Sequence, residues 1–253
     1  MKWNYKWLNL LALAAVLIVN FLAERLPLGG KTTGEISAQY PVLIAPAGYA
    51  FSIWLVIYAL LIGFVIYGFT KTAEESGRVQ EIGIFFLLSC LFNIAWLFFW
   101  HYEKITGSVF IMFGLLLTLI VIYLRVNDRC HDPLTGAERW LVRLPFRIYL
   151  GWICVATIVN VSSALYASEW DRFGLSDTVW TIIMLIVATL LASLLGLSFT
   201  DPAVVLVFIW AFIAIAVKQQ AYPTIATTSM VLAALLALLV LFLVFQKRRH
   251  SIR

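Results

Sequence analysis

Long apolar blocks separated by short polar segments make up most of this chain. Inside the blocks the apolar residues follow neither the alternation of a strand nor the one-sided stripe of a surface helix, which indicates helices surrounded by apolar material on all sides. Apolar runs of about 18 residues are typical of membrane-spanning helices. We therefore predict an all-α, polytopic transmembrane helix bundle with about eight spans. The blocks cover approximately residues 8–23, 43–69, 82–100, 105–125, 144–166, 177–199, 202–217 and 225–246.

The seventh block is the shortest candidate span in the second half of the chain. At 1.5 Å per residue its length reaches only about 24 Å, whereas the hydrocarbon core of a bilayer is about 30 Å thick. Its start is well marked, because Asp201 can cap a helix whose first turn holds Pro202. We predict a helix over 202–217 and leave open whether it crosses the membrane completely.

Composition supports a membrane location and argues against a soluble domain. The 253 residues are 63% hydrophobic and only 12% charged, with a mean hydropathy of +0.96. Soluble domains carry about 25% charged residues. The net charge of +5 comes from basic residues spread over short loops rather than one face, so no nucleic-acid partner is expected.

The distribution of basic residues predicts the orientation. If the N-terminus lies inside, 13 of the 18 Lys and Arg residues fall in inner segments, most of them within 125–147 and after residue 246. The positive-inside rule then predicts a multi-pass protein of the cell membrane with both termini in the cytoplasm. Lys247, Arg248 and Arg249 are expected to bind anionic membrane lipid. No small-residue cleavage site follows the first block, so we predict an uncleaved helix.

The three cysteines do not indicate a disulfide framework or a metal site. Cys90 and Cys154 lie inside apolar blocks and are expected to be small buried hydrophobes. Cys130 is followed by His131 and Asp132, but the group lacks the paired spacing of a zinc site. We therefore interpret it as an ordinary polar loop and predict no metal ligand.

Three blocks carry polar and aromatic residues at spacings of three or four, so that each set shares one helix face. Trp usually lies at membrane interfaces, and a lipid-facing helix has no use for Asn. In the predicted topology these faces meet at similar depth below the loop 24–42, and they could wall a cavity for a planar apolar ligand. Ordinary packing and interhelical hydrogen bonding are the alternative. The sets are Phe51, Trp54 and Tyr58; Ser89, Asn93, Trp96 and Trp100; and Tyr149, Trp152, Ala156 and Asn160.

These residues resemble the tryptophan-rich sensory protein family, also called the TspO/MBR or translocator protein family. The matching motifs are Pro46, Phe51 and Trp54-x-x-x-Tyr58; Asn93-x-x-Trp96 followed by Phe98 and Phe99; and Tyr149, Trp152, Ala156 and Asn160 at the family's spacing. One departure is Ile148, where the family has a proline. The resemblance covers residues 1–167 and predicts a five-helix unit there, followed by three additional transmembrane helices over 168–253.

The resemblance implies a ligand cavity between helices 2, 3 and 5, under the loop after helix 1. Its expected ligands are tetrapyrroles such as protoporphyrin IX and haem, with no required cofactor, and a homodimer is left open. The function implied is that of a binding or sensory protein. The residues expected to line the cavity are Pro46, Tyr49, Phe51, Trp54, Tyr58, Asn93, Trp96, Tyr149, Trp152, Ala156 and Asn160.

Two other functions are weighed against ligand binding. Eight helices suffice for a small-molecule transporter, although transporters usually place ionisable residues or broken helices at the midplane. An enzyme is not predicted, because no mid-helix His, Asp or Glu offers a base or metal ligand. His101 alone approaches the cavity rim, where we expect it to be incidental. Porphyrin breakdown has been proposed for the family, which leaves this point unsettled.

Overall fold

The computed structural model describes residues 5–26, 28–127 and 134–251, which are mostly helical, with no β-strand among them. This confirms the predicted all-α fold. Each predicted block corresponds to one long helix. These helices are α1 (Lys6–Arg25), α2 (Ile53–Tyr67), α3 (Ile84–His101), α4 (Ile105–Val126), α5 (Leu144–Ala167), α6 (Asp177–Phe199), α7 (Pro202–Lys218) and α8 (Pro223–Ser251).

Among the described residues, seven helical segments are long and apolar enough to cross a membrane, so the chain is a multi-pass membrane protein. The exception is α7, which has 17 residues and a length of about 26 Å. Asp201 caps it as predicted, because the carboxylate accepts a hydrogen bond from the Ala203 amide at 3.1 Å. Its side chains are buried on most sides by α6 and α8.

The helix leading into α5 begins earlier than hydropathy predicts. Residues Gly136–Glu138 form a helical turn, and a π-helical turn over Arg139–Arg143 continues directly into α5. The start is a capping box: the Thr135 hydroxyl accepts from the Glu138 amide at 3.2 Å, and the Glu138 carboxylate accepts from the Thr135 amide at 2.9 Å. The predicted fifth block began only at residue 144, because the residues before it are polar.

Short helices also occupy other polar segments. A 3-10 turn over Leu28–Gly30 and a helix over Thr33–Gln39 lie between α1 and α2, and a 3-10 turn over Gly48–Ser52 leads into α2. The connection from α2 to α3 contains helices Lys71–Ser76 and Arg78–Ile82. The loop containing Cys130, His131 and Asp132, and the side chains of Arg248 and Arg249, lie outside the described residues.

The first of two compact units comprises Met1–Ile36 and Ile53–Ile153. Within it α3 packs against α1 and α4, and α1 also contacts α2. Its centre is a group of fully buried rings, in which Phe64 lies 5.1 Å from Phe86 and 5.0 Å from Phe146 between centroids. The Phe64–Phe86 pair is tilted and the Phe64–Phe146 pair is edge-to-face, and aromatic contacts of this kind add to the free energy gained from burial.

The second unit comprises Ser37–Ser52 and Cys154–Arg253. Here α7 packs between α6 and α8, and the segment before α2 is hydrogen-bonded to it. Trp210 donates to the Ala50 carbonyl at 3.1 Å, and Gln219 donates to the Leu43 carbonyl at 2.9 Å. The predicted division of the chain at residue 167 followed the family's five-helix pattern and stays a prediction.

Candidate functional site

An aromatic cluster in the first unit brings α2 and α5 together around Trp54. The Trp54 ring centroid lies 5.3 Å from Tyr58, 5.7 Å from Tyr149 and 6.5 Å from Trp152. Tyr58 is nearly parallel to Trp54, whereas Tyr149 and Trp152 meet it edge-on, at 70° and 84°. Trp152 is only 2% exposed, while Trp54 is half-buried. The four rings that helical spacing placed on one face of α2 and one face of α5 are therefore in contact in the structure.

A chain of amides and a phenol lies beside this cluster. Asn20 of α1 donates to the Asn93 side-chain oxygen at 3.0 Å, and Asn93 donates to the Tyr149 hydroxyl at 3.1 Å. Asn93 and Tyr149 are almost completely buried. Because an unpaired amide in apolar surroundings is costly, these bonds fix α1, α3 and α5 to one another at this depth.

Asn20 was not among the predicted site residues. The signal was present, since Asn20 interrupts the apolar run 8–23 in the same way that Asn93 interrupts the third block. The matching family motifs lie on helices 2, 3 and 5, so they gave no indication of Asn20. Polar residues inside membrane helices are costly unless they are paired, so an amide there indicates a partner whether or not it belongs to a motif.

The Tyr58 hydroxyl is buried near the Asn93 amide. Among the described residues it forms no hydrogen bond of normal geometry. Burying a hydroxyl without a partner costs about 1–3 kcal/mol. A polar group that reached the cluster could therefore recover part of this free energy by hydrogen bonding to Tyr58.

Trp96 occupies a neighbouring position on α3. Its ring stacks on Trp100, with a centroid distance of 5.5 Å and an angle of 21° between planes. The Trp100 indole in turn donates to the Thr33 carbonyl at 3.3 Å. Trp96 thereby belongs to a stack that connects α3 with the polar segment between α1 and α2.

That polar segment, residues 28–36, is held against the C-terminal end of α3 by several contacts. The Thr33 hydroxyl hydrogen-bonds His101 Nε2 at 3.1 Å, and Lys31 forms an ion pair with Glu103 at 2.7 Å. Gly29 has a φ of +69°, and a Cβ there would lie 2.7 Å from the His101 carbonyl oxygen. Only glycine fits this approach without strain.

His101 makes a structural contact that the sequence did not predict. It is 3% exposed and bonded to Thr33, so it helps to hold the polar segment in place. Its spacing along α3 gave no indication of this contact, because the partner comes from a segment 68 residues earlier.

The remaining predicted site residues lie in the second unit. Pro46 and Asn160 are buried, and Phe51 and Ala156 are half-buried. Tyr49 is 44% exposed and meets Trp210 edge-on, with centroids 5.4 Å apart. The participation of these five residues in a ligand site stays a prediction.

The fold and its buried aromatic and amide groups define a polytopic membrane protein of the kind that the helix motifs suggested. A model of the TSPO-like protein family matches residues 6–242, and the chain belongs to that family. The match extends beyond residue 167 through α6 and α7 and into α8. No curated protein and no solved structure shows a significant match to the chain.

Proposed function

We propose that this protein binds a planar, tetrapyrrole-like hydrophobic ligand at the aromatic cluster and serves as a binding or sensory protein of the cell membrane. The observation that carries the proposal is the arrangement of Tyr58, Tyr149 and Trp152 around Trp54, with the Asn93 amide close by. Flat aromatic walls with a few polar groups are typical of sites for planar apolar ligands.

Trp54 is the ring that a ligand would contact first. It is half-buried, whereas Trp152 and Tyr149 lie behind it and are almost fully buried. A planar ligand stacked on Trp54 would gain contact with its face, and the Tyr58 hydroxyl could hydrogen-bond a polar substituent. The segment 28–36, which is bonded to the C-terminal end of α3, would shield such a ligand from water.

The cellular setting proposed from the charge distribution is the cell membrane, with both termini in the cytoplasm. Basic residues are concentrated in the segments that this orientation places inside. Cysteine labelling with a membrane-impermeant reagent at introduced sites in the 126–142 and 24–42 segments tests this. The 24–42 site should react in intact cells, and labelling of the inner site instead would reverse the orientation.

Titration of the purified chain with protoporphyrin IX tests ligand binding. The Soret absorbance of the porphyrin should shift saturably, and this readout does not depend on the number of tryptophans. Trp54→Leu and Trp152→Ala should each weaken binding at least tenfold. Trp140→Phe is the matched control, because Trp140 is 67% exposed and lies outside the cluster.

Equal affinity in the Trp54→Leu and Trp140→Phe variants would refute the site, and a shift that never saturates would refute the proposed function. Asn93→Leu gives an independent check, since it removes the polar group but keeps the rings. It should weaken protoporphyrin IX binding more than it weakens binding of a planar hydrocarbon such as pyrene.

A further inference from the structure

A separate cleft lies within the second unit, between residues 41–44 and the facing ends of α5 and α6. It is partly open and offers only about 40 Å³ of interior space, so a ligand larger than a few water molecules would extend out through its open side. Ser162 and Thr181 contribute buried polar positions to its wall, and Met184 contributes an apolar one.

Two tryptophans form a corner in this cleft. The Trp170 and Trp180 rings, both half-buried, lie 4.9 Å apart between centroids at 75° to each other, and Tyr166 lines the same cleft. Phe173 meets the Trp170 ring at 5.1 Å and 84°. The faces of aromatic rings attract cations, and quaternary ammonium groups are recognised by aromatic corners and cages of this kind.

A pair of opposite charges stands beside the aromatic corner. Arg172 Nε lies 3.2 Å from Asp177 Oδ1, and both residues line the cleft. The described contacts of Arg172, to Asp177 and to the Leu175 carbonyl at 3.4 Å, both use Nε. The terminal nitrogens of the guanidinium are the groups that bind phosphate in a bidentate manner. The cleft thus presents both a cation-attracting and an anion-binding group.

The backbone that carries these groups is strained. Glu169, Arg172 and Phe173 have φ values of +52°, +56° and +56°, followed by Gly174 at +75°. Positive φ is uncommon for residues other than glycine, and such strain clusters at ligand sites. The Asp171 carboxylate helps to hold the turn by accepting from the Phe173 amide at 3.1 Å.

An ordinary belt of interfacial tryptophans explains these features less well. Belt residues scatter around a protein and point toward the headgroup layer. Trp170 and Trp180 instead contact each other inside a cleft that also holds Arg172 and Asp177. A purely apolar ligand would leave the charged pair unused, whereas a zwitterion would use both of its members.

We propose that this cleft binds a phosphocholine-type zwitterion, with its trimethylammonium group against Trp170 and Trp180 near Asp177 and its phosphate on Arg172. The same chemistry can come from a lipid headgroup or from a soluble molecule. The site is separate from the aromatic cluster around Trp54 and does not depend on the function proposed there.

Calorimetric titration of the full chain in a maltoside detergent tests the soluble source. Phosphocholine should bind at least tenfold more tightly than phosphoethanolamine, which carries the same phosphate but no methyl groups. Trp170→Leu should weaken phosphocholine binding at least tenfold. Arg172→Gln should weaken phosphocholine binding but leave the affinity for choline within twofold of that of the unchanged chain. Trp140→Leu should change neither the phosphocholine affinity nor the choline affinity.

Reconstitution into nanodiscs of mixed phosphatidylcholine and phosphatidylethanolamine tests the lipid source. Native mass spectrometry should show retained phosphatidylcholine, reduced by Trp170→Leu and unaffected by Trp140→Leu. Binding of the soluble zwitterion shows that the headgroup alone suffices, and retention of the lipid alone identifies the membrane as the source. No preference for the methylated form in either experiment, on the unmodified chain, would overturn the proposal even if the variants failed to fold.

Discussion

The ion pair between Arg78 and Glu138 joins the connection before α3 to the helical turn that leads into α5. Arg78 Nε lies 3.3 Å from Glu138 Oε1, and the two side chains are 9% and 2% exposed. Glu138 also caps its own helix by accepting from the Thr135 amide at 2.9 Å. Glu138→Gln removes the charge but keeps a residue that can complete the capping box. Glu138→Ala removes both the charge and the capping side chain.

The expected effect follows from the burial of the pair. Removing one partner of a buried ion pair costs about 3–5 kcal/mol, and we expect about 3 kcal/mol because a single nitrogen–oxygen contact is described here. For a chain of this size 1 kcal/mol corresponds to about 2–4 °C, so Glu138→Gln should lower the melting temperature by about 6–12 °C. Glu138→Ala should cost about 1 kcal/mol more through loss of the cap.

Thermal unfolding in detergent, followed by tryptophan fluorescence, measures these shifts. Arg78→Gln and the double variant with Glu138→Gln complete a double-mutant cycle. The free energy of unfolding lost in the double variant should be about 1–3 kcal/mol smaller than the sum of the losses in the two single variants, because each single change disrupts the same contact. Losses of stability that simply add in the double variant would refute the assigned ion pair. So would a Glu138→Gln protein whose melting temperature lies within 2 °C of that of the unchanged chain.

Three further changes test other parts of the fold. Gly114→Ala should destabilise the packing of α4 on α3 by about 1–3 kcal/mol, because a Cβ there would lie 2.6 Å from the Phe92 ring. A melting temperature within 1 °C of that of the unchanged chain would contradict this contact. Thr200→Gly should raise the melting temperature by about 2–4 °C, since Thr200 follows the last residue of α6 at a φ of +49° that glycine adopts without strain. An unchanged melting temperature would show that the turn is not strained. A hydrogen bond from Lys6 lowers the pKa of Glu74 below 4.5, so their interaction stabilises at neutral pH and is lost as the pH falls through that lowered pKa. Carbon NMR should find the pKa of Glu74 near 4.5 in Lys6→Met, and an unchanged pKa would exclude the pairing.

The long helices could be predicted because their cause is local. Apolar side chains in every direction, with backbone hydrogen bonds closed within the helix, are sufficient to specify a spanning segment. The start of α7 at Pro202 was predicted for the same reason, since the cap on Asp201 involves only neighbouring residues. By contrast, the early start of the helix leading into α5 was missed, although the Thr135 and Glu138 capping box is also local. The residues that form this start are polar, so hydropathy alone does not reveal it.

The aromatic cluster was predicted in part. Helical spacing placed Trp54 and Tyr58 on one face of α2, and Tyr149 and Trp152 on one face of α5. That these two faces meet was an inference from depth and from family resemblance, and the ring contacts now describe how they meet. The family match confirms the resemblance on which that inference relied.

The all-α membrane fold, the approximate extent of the helices and the faces that carry aromatic and amide groups can be predicted from the amino-acid order alone. The contacts between these groups become visible only in the packed structure: Asn20 with Asn93, Thr33 with His101, and Trp170 with Trp180. The difference arises because hydrophobicity and capping act within a few residues along the chain. Hydrogen-bond and ring partners between helices depend on how whole helices pack, which no single segment specifies.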